Sequence, residues 1–455
     1  MKILYITNGY KPQRWAGTET YTAGIAEEIS GRGHVVDVLC VGEWEKGDAH
    51  WNGVSEDIQS GIRVRRINLN WTKSSDPFRH LYDNPLVARY LEGVLREEKF
   101  DLVHVTSCET LSASIFQVVK NAGVPLVFSL TDFWMLCPRI NLLHSNGSNC
   151  NGQTTPQECL SCMLVNSNLY RNAGRILPEK VLAPIMEQAS QYPFLTRQRG
   201  LRGMAGNMAE RKSFLKHALT LPDHRITASN FVRDVFVSND VKAPITVQPY
   251  GHDLRWLDSY TGKSRSNVLR LGYVGQIIGA KGVHLSLQAL NQLPKTHLER
   301  LSLVIYGNVN HTPIYGQQIT DLAAGLPNVT FGGTYQHDES AKIFSEIDVL
   351  LVPSVWFDFP LVIYEAFSTQ TPVIATNLGG MAEAVSKNVN GLLFERGDAS
   401  DLAGQIQRLL DEPDLLGRLK QGVPHVRTVK DEVNTLEQKY VELVQARKEI
   451  ITQEK

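Results

Sequence analysis

Three short segments in the second half of the chain place glycines, charged side chains or both after a strand-like apolar run. The first begins at Gly275 and continues through Gln276, Gly279 and Lys281 into a helical pattern. Glycine lets backbone N–H groups approach an anion, a helix N-terminus supplies unpaired donors, and lysine adds a positive charge. The segment therefore predicts a diphosphate site, with an ordinary glycine-containing turn as the alternative.

The second segment supplies carboxylates. After the run DVLLVPS come Asp358, then Pro360, which fits the first turn of a helix, and then Glu365 in the apolar stretch IYEAF. The rise per residue places Glu365 about one and a half turns into that helix. Carboxylates accept hydrogen bonds from sugar and ribose hydroxyls, so the pair predicts a sugar site. The alternative is a helix-capping Asp and a partly exposed Glu.

The third segment follows PVIAT and contains Gly379, Gly380 and Glu383. A Gly-Gly turn before a helix again offers N–H groups to phosphate. Glu383 is predicted to bind the same ligand, or else it stabilises the start of its helix through the helix dipole. Each of these signals is weak alone, and the prediction depends on their recurrence after successive strands.

Four cysteines cluster in a loop-rich stretch of the first half. Cys137, Cys150, Cys159 and Cys162 have the spacing C-x12-C-x8-C-x2-C. Converging thiolates fit tetrahedral zinc, and the sequence predicts a structural zinc site here. An Fe–S cluster, free thiols and disulfides are the alternatives, and a cytoplasmic setting disfavours the disulfides.

The elements that must position these residues follow the pattern of parallel sheets. Strand-like runs alternate with helical stretches, beginning with KILYITN, the helix TYTAGIAEEISGRG and HVVDVLCVG. From Val268 onward the strand-like runs are LRLGYVG, LSLVIYG, VTFGG, DVLLVPS, PVIAT and GLLFE. The alternation predicts βαβ units. The expected fold class is α/β, with two Rossmann-like, doubly wound domains facing a central cleft and ligands outside the carboxyl ends of the strands.

Changes of pattern along the chain predict the domain limits. The predicted divisions are an N-terminal domain (1–252) with a cysteine loop (137–162) and a helical insertion (168–216), a linker (253–267), a second domain (268–435) and an amphipathic terminal helix (436–455). The insertion carries a basic stretch. It is expected to be a solvated helical face, with an acceptor-phosphate or membrane-surface patch as the alternative.

Composition excludes some classes of function. The chain has 46 Lys and Arg against 47 Asp and Glu, a net charge of −1, which gives no support for nucleic acid as the main partner. No run approaches the roughly 18 apolar residues of a membrane helix. The N-terminus has no long apolar stretch of the kind that directs secretion. We expect a cytoplasmic protein, with contact at the inner face of the membrane as an alternative.

The runs GYVGQIIGAKG, VIYG, VTFGG, DVLLVPS, FPLVIYEAF, PVIATNLGGMAEAV and NGLLFERGD together resemble the retaining glycosyltransferases of family 4, the glycosyl transferases group 1. The N-terminal loop with Gly17 fits the same family, and its backbone is expected to contact the diphosphate. The resemblance implies a GT-B fold. It also implies a UDP- or GDP-sugar donor held mainly by the second domain, and a glycan, lipid-linked or small-molecule acceptor held mainly by the first.

The same resemblance implies hexosyl transfer with retention, no catalytic divalent metal, and a terminal helix that returns to the first domain. A subset of these transferases shares the run DFWxLCPR…C…CxxC found here. Front-face substitution is the expected route, because no residue stands out as a covalent nucleophile.

The chain departs from the family pattern in three places. Asp358 stands one position after the family's usual glutamate and is the predicted substitute for it. Gln276 replaces a frequent arginine, which leaves Lys281 as the main cation for the diphosphate. Thr131 and Asp132 stand where many members have His-Asp, so the candidate catalytic groups are Lys281, Asp358 and Asp132.

Two other functions fit the same sequence. A sugar-nucleotide epimerase or hydrolase of this fold would need no acceptor. A non-catalytic GT-B scaffold that binds a partner transferase would account for the departures from the family pattern.

Overall fold

The computed structural model describes residues 1–14, 16–165, 167–198, 201–356 and 360–453. The chain forms two compact units. The first combines Met1–Tyr250 with Val429–Lys455, and the second is Gly251–Thr428. The predicted division fell at 252, with a linker to 267, whereas the second unit here begins at Gly251.

The first unit contains one sheet. Its strands are β1 (Lys2–Ile6), β2 (Val35–Val41), β3 (Trp51–Gln59), β4 (Ile62–Leu69), β5 (Leu102–Val105), β6 (Leu126–Ser129), β7 (His224–Thr227) and β8 (Thr246–Val247). In the described residues they lie in the order β3-β4-β2-β1-β5-β6-β7-β8. All neighbouring pairs are parallel except β3 and β4. The strand order reverses at β1, which lies between β2 and β5.

Strand β3 was not predicted. Its sequence, WNGVSEDIQ, has polar residues and a glycine where a buried parallel strand would be apolar. It can form a strand because it lies at the sheet edge with one neighbour, β4, and its residues stay exposed or half-buried. Long-range pairing with β4 thus overrides a weak local preference.

The second unit contains an all-parallel sheet. Its strands are β9 (Leu269–Val274), β10 (Leu301–Tyr306), β11 (Val329–Gly333), β12 (Val349–Val352), β13 (Val373–Thr376) and β14 (Gly391–Phe394). They are the six predicted runs, and in the described chain they lie in the order β11-β10-β9-β12-β13-β14. Leu271 pairs with Val349 where β9 meets β12, and the strand order reverses between these two. Strand β12, VLLV, is buried at every position, as expected when both faces of a sheet are covered.

Helices connect the strands in both units. Those before the second sheet are α1 (Gly17–Gly31), α2 (Arg79–Tyr82), α3 (Pro85–Glu97), α4 (Ser114–Asn121), α5 (Pro156–Leu164), α6 (Asn168–Gly174), α7 (Glu179–Ser190), α8 (Pro193–Thr196), α9 (Met208–Ala218) and α10 (Asn230–Ser238). The second unit adds α11 (Val283–Asn291), α12 (Lys295–Leu298), α13 (Pro313–Ala323), α14 (Ser340–Ser345), α15 (Leu361–Ser368), α16 (Gly379–Ala384), α17 (Ala399–Asp411) and α18 (Leu415–Gln421). Their ends follow local chemistry. For example, the Asn84 side chain accepts from the N–H groups of Leu86 and Val87 at the start of α3.

The last helix, α19 (Val429–Gln453), begins before the predicted residue 436 and belongs to the first unit. Tyr440 is fully buried, and its hydroxyl lies 2.5 Å from Nδ1 of His104 on β5 and 3.2 Å from the hydroxyl of Tyr5 on β1. The helix is therefore tied to the centre of the first sheet. Among the described residues, none of the helices has the length and apolar character needed to span a bilayer.

Candidate functional site

The loop after β9 is fixed to the loop after β12. The carbonyl oxygen of Ala280 accepts from the backbone N–H of Val355 at 2.9 Å and from the hydroxyl of Ser354 at 3.0 Å. Gly282 has a φ of 72°, and a Cβ added there would lie 1.9 Å from the carbonyl oxygen of Pro353. Only glycine fits this position, so the sequence of the first loop sets how closely the two loops approach.

Lys281 lies in this loop and is half-buried. Its Nζ is 5.8 Å from the ring centroid of Trp356, within the range of a cation–π contact. Burial lowers the pKa of Lys281 from 10.5 to about 8. Gly275 and Gln276, at the start of the same loop, are exposed, and the hydroxyl of Tyr273 holds the loop by donating to the Gln276 carbonyl at 2.7 Å. The result is a cation beside accessible backbone.

Glu365 is half-buried on α15. Burial raises the pKa of its carboxyl group, and the charge of His337 opposes that rise. The pKa of Tyr335 is raised by burial and, secondly, by the charge of Glu365. Both His337 and Tyr335 follow β11, so the loop after that strand brings two polar side chains to Glu365.

Glu383, Gly379 and Gly380 lie on α16, directly after β13. Glu383 is exposed, Gly380 is buried, and Gly379 has a φ of 53°. Burial, with a smaller effect of the Glu383 charge, raises the pKa of Tyr364 to about 12. Glu383 therefore lies close enough to the half-buried Tyr364 for its charge to act on the Tyr364 hydroxyl. Asp358, the remaining carboxylate predicted for this region, lies outside the described residues.

The first unit carries a second group of polar side chains at the carboxyl ends of its strands. Asp132 follows β6, and burial raises its pKa to about 6. Glu109 follows β5, and burial raises its pKa to about 7, with the Asp132 charge second. Asn8, after β1, donates a hydrogen bond to Glu109 at 3.0 Å. Glu19 on α1 is buried, and its charge raises the pKa values of Glu109 and Asp132 further.

Gly17 begins α1 and is exposed. A Cβ added there would meet nothing within 4 Å apart from its chain neighbours and the backbone of its own helix. The first turn of α1 has no side-chain cap. A helix start of this kind leaves N–H groups available to an anion.

Several polar residues at these sites were missed by the sequence analysis. Glu109 and Asn8 follow strands β5 and β1, and His337 and Tyr335 follow β11, so the rule that ligands bind at the carboxyl ends of strands could have found them. Trp356 could have been found in the same way, because it follows β12. Glu19 gives no such signal, since an acidic residue in the first turn of a helix is common for structural reasons.

The predicted zinc site is not formed. All four cysteines of the loop are free thiols, with Cys137 buried and the others half-buried. The sulfur of Cys150 accepts from the Gly152 N–H at 3.3 Å, and that of Cys159 lies 2.9 Å from the Thr154 hydroxyl. Cys162 contacts Arg139 at 3.4 Å. Within the described chain no three His, Cys, Asp or Glu side chains converge closely enough to hold a metal ion.

Two α/β units with polar side chains at the carboxyl edges of their sheets fit the GT-B class of glycosyltransferases. Residues 261–425 match the family model described as "Glycosyl transferases group 1". Residues 16–177 match the one described as "Glycosyl transferase 4-like domain". The chain is thus a glycosyltransferase with a 4-like domain in its first unit and a group 1 domain in its second.

Known proteins of the same kind match over nearly the whole chain. An uncharacterized glycosyltransferase from Methanocaldococcus jannaschii is 21% identical, over 90% of this chain and 90% of its own. A glycosyltransferase structure from Rickettsia africae aligns with a TM-score of 0.62 at 16% identity, covering 97% of this chain and 98% of its own. HepE from Anabaena, solved in complex with UDP-glucose, aligns with a TM-score of 0.56 at 17% identity, covering both chains fully. These structures establish the GT-B fold.

Proposed function

We propose that this glycosyltransferase binds a nucleoside-diphosphate sugar, a UDP- or GDP-hexose, on its second unit and transfers the hexose to a hydroxyl group with retention of configuration. The acceptor is a glycan, a lipid-linked glycan or a small molecule bound by the first unit. The UDP-glucose complex of HepE, a protein of the same fold, supports a donor of this type.

One observation carries the proposal. The topology of the second sheet puts β9 next to β12, and the hydrogen bonds of Ala280 tie their loops together. Lys281 is thereby held at the point where the strand order reverses, which is where open α/β sheets bind ligands. A half-buried ammonium at this place, beside the exposed backbone of Gly275, suits a diphosphate.

The reaction needs stabilisation of the leaving group and of a positively charged sugar. Lys281 and the N–H groups at the start of α16 stabilise the charge that develops on the diphosphate. Glu365 and Glu383 bind hydroxyl groups of the sugar and the ribose as hydrogen-bond acceptors. Asp358 is proposed to do the same for the transferred sugar, as the substitute for the family's usual glutamate.

In the transfer itself, the bond between the anomeric carbon and the diphosphate oxygen breaks, and a bond from that carbon to the acceptor oxygen forms on the same face. The acceptor proton passes to the departing diphosphate oxygen. Asp132, whose pKa of about 6 leaves it mostly ionised at neutral pH, is proposed to hold the acceptor hydroxyl in the first unit.

The test combines a donor panel with a matched pair of variants. Calorimetry with UDP-glucose, UDP-galactose and GDP-mannose is expected to show binding of at least one donor. Glu365→Gln is expected to lower kcat/KM by about 100-fold, the size of effect that follows loss of a preorganised hydrogen bond in a site from which water is excluded. Glu299→Gln, an exposed position on the same unit, should leave it unchanged.

Two results would contradict this proposal. Absence of binding by every nucleotide sugar would favour the scaffold alternative, and normal transfer by Glu365→Gln would show that the site is elsewhere. Conversion of the donor at full rate with no acceptor present would instead identify an epimerase or a hydrolase.

A further inference from the structure

Helix α7 carries large apolar side chains on its exposed side as well as a buried leucine. On its inner face Leu182 and Ser190 are buried against the rest of the first unit. On its outer face, one turn apart, Val181 is 47% exposed and Ile185 is 52% exposed. A surface helix of a globular protein normally places polar side chains there. The outer face of α7 is therefore apolar without a partner in the described chain.

The exposed apolar surface extends beyond the helix in both directions. Fourteen large apolar side chains are exposed in the described part of the chain, and six of them fall between residues 176 and 194. We call these six the α7 patch: Ile176, Leu177, Val181, Ile185, Tyr192 and Phe194. Ile176 is 84% exposed and Phe194 is 64% exposed, and the rings of Tyr192 and Phe194 lie 6.2 Å apart. Such clustering of exposed apolar side chains marks an interaction surface.

Positive charges accompany the α7 patch along the chain. Residues 168–202 contain six Lys or Arg and two Glu, although the whole chain has a net charge of −1. Of the cations, Arg171, Arg175, Lys180 and Arg197 are exposed, and in the described residues none of these four forms an ion pair with a carboxylate. Glu187 is half-buried and accepts a hydrogen bond from Gln157. The cations are thus available to an external anion.

We infer that the α7 patch binds the surface of a lipid bilayer that contains anionic headgroups. Helices that lie in the membrane interface combine an apolar face, which enters the acyl boundary, with Lys and Arg, which meet the phosphates. A second copy of the chain fits less well, because a symmetric contact would bring two clusters of cations together. The inference is independent of the donor site on the second unit.

Flotation of the full-length protein with lipid vesicles tests this inference. The protein is expected to float with vesicles of phosphatidylcholine and phosphatidylglycerol, but not with phosphatidylcholine alone, and to be released by high salt. Val181→Gln with Ile185→Gln should lower the partition coefficient about tenfold. Arg175→Gln with Lys180→Gln should lower it about fivefold per charge.

Matched controls separate the α7 patch from general stickiness. Ile58→Gln and Ile314→Gln remove apolar side chains that are 73% and 89% exposed elsewhere on the surface, and both should float like the wild type. Lys281→Ala should also float like the wild type, because the donor site takes no part in membrane binding. The flotation result therefore stays valid even if the proposed donor site is incorrect. Melting curves check that each variant is folded.

Three outcomes would overturn the inference. The first is failure of the wild type to float with anionic vesicles. The second is equal flotation of the wild type, the Val181→Gln/Ile185→Gln variant and the Arg175→Gln/Lys180→Gln variant. The third is a dimer in light scattering that disappears in the Val181→Gln/Ile185→Gln variant. The last outcome would assign the surface to a second copy of the chain.

Discussion

Lys281 illustrates how one side chain acquires a function from its surroundings. Its ammonium group is half-buried next to the Trp356 ring, and the loss of hydration lowers its pKa to about 8. Burial of a cation costs free energy because hydration is lost. A bound diphosphate would add a favourable interaction with the ammonium and would raise its pKa again.

The lowered pKa of Lys281 predicts a pH dependence of donor binding. The ammonium is present below about pH 8 and is lost above it, so the binding constant should fall as the pH rises, approaching tenfold per pH unit well above about pH 8. Calorimetric titration of UDP or GDP between about pH 6.5 and about pH 9.5 measures this.

Lys281→Arg is the control for that titration, because a guanidinium stays charged throughout this range. Its binding curve should be flatter than that of the wild type, although its larger head group can weaken binding overall. A wild-type affinity that does not change across the range would show that Lys281 does not contact the diphosphate.

The loops between elements show how strand order creates a site. Strands β9 and β12 are separated in sequence by two further strands, and they are neighbours only because the sheet reverses direction between them. Gly282 permits the two loops to meet, since its φ of 72° and the nearby Pro353 carbonyl leave no room for a side chain. The packing of the site thus depends on one backbone position.

Gly282→Ala is therefore expected to destabilise the second unit. The left-handed conformation alone costs about 1–2 kcal/mol for an alanine, and the clash with backbone adds to this. We expect a loss of more than about 2 kcal/mol in the free energy of unfolding of that unit. Chemical denaturation measures it.

Gly325→Ala is the matched control for this substitution. No atom outside its own chain neighbours lies within 4 Å of the added Cβ, so the change should stay within about 0.5 kcal/mol. Equal stability of the two variants would mean that the loops after β9 and β12 can separate without cost.

At the scale of the whole molecule, the first unit is discontinuous in sequence and the second is not. Residues Val429–Lys455 belong with Met1–Tyr250, whereas Gly251–Thr428 forms one uninterrupted segment. Tyr440 places its hydroxyl in a buried network with His104 and Tyr5. Burial lowers the pKa of His104 to about 3, so it takes part as a neutral ring at physiological pH.

Truncation should distinguish the two units. A protein comprising residues 251–428 is expected to fold alone and to bind the donor nucleotide, because it includes the second sheet and every candidate donor residue except Gly17. Removal of residues 429–455 from the full chain should destabilise the first unit, since it uncovers the apolar surface that Leu436, Tyr440 and Val444 bury.

Circular dichroism melting and nucleotide titration measure both effects. The prediction fails if residues 251–428 are unfolded on their own. It also fails if the chain that ends at 428 melts like the full-length protein.

Much of the fold was accessible from the sequence, because buried parallel strands leave continuous apolar runs. The six runs after Val268 are all strands of one sheet, as predicted. Strand β3 escaped prediction because its pairing, and not its own composition, makes it a strand. The cysteine spacing suggested a zinc site, but spacing along the chain does not fix how closely the thiols approach, and the described residues form no such site.

By itself, the sequence determined the class of fold and the identity of the loops that carry glycine, lysine and carboxylates after the strands, since both depend on local pattern. Only the tertiary structure decided which of these loops meet. It put β9 beside β12, placed His337 and Tyr335 near Glu365, and left the outer face of α7 without a partner in the described chain. Strand order and burial are long-range properties, so no local pattern could specify them.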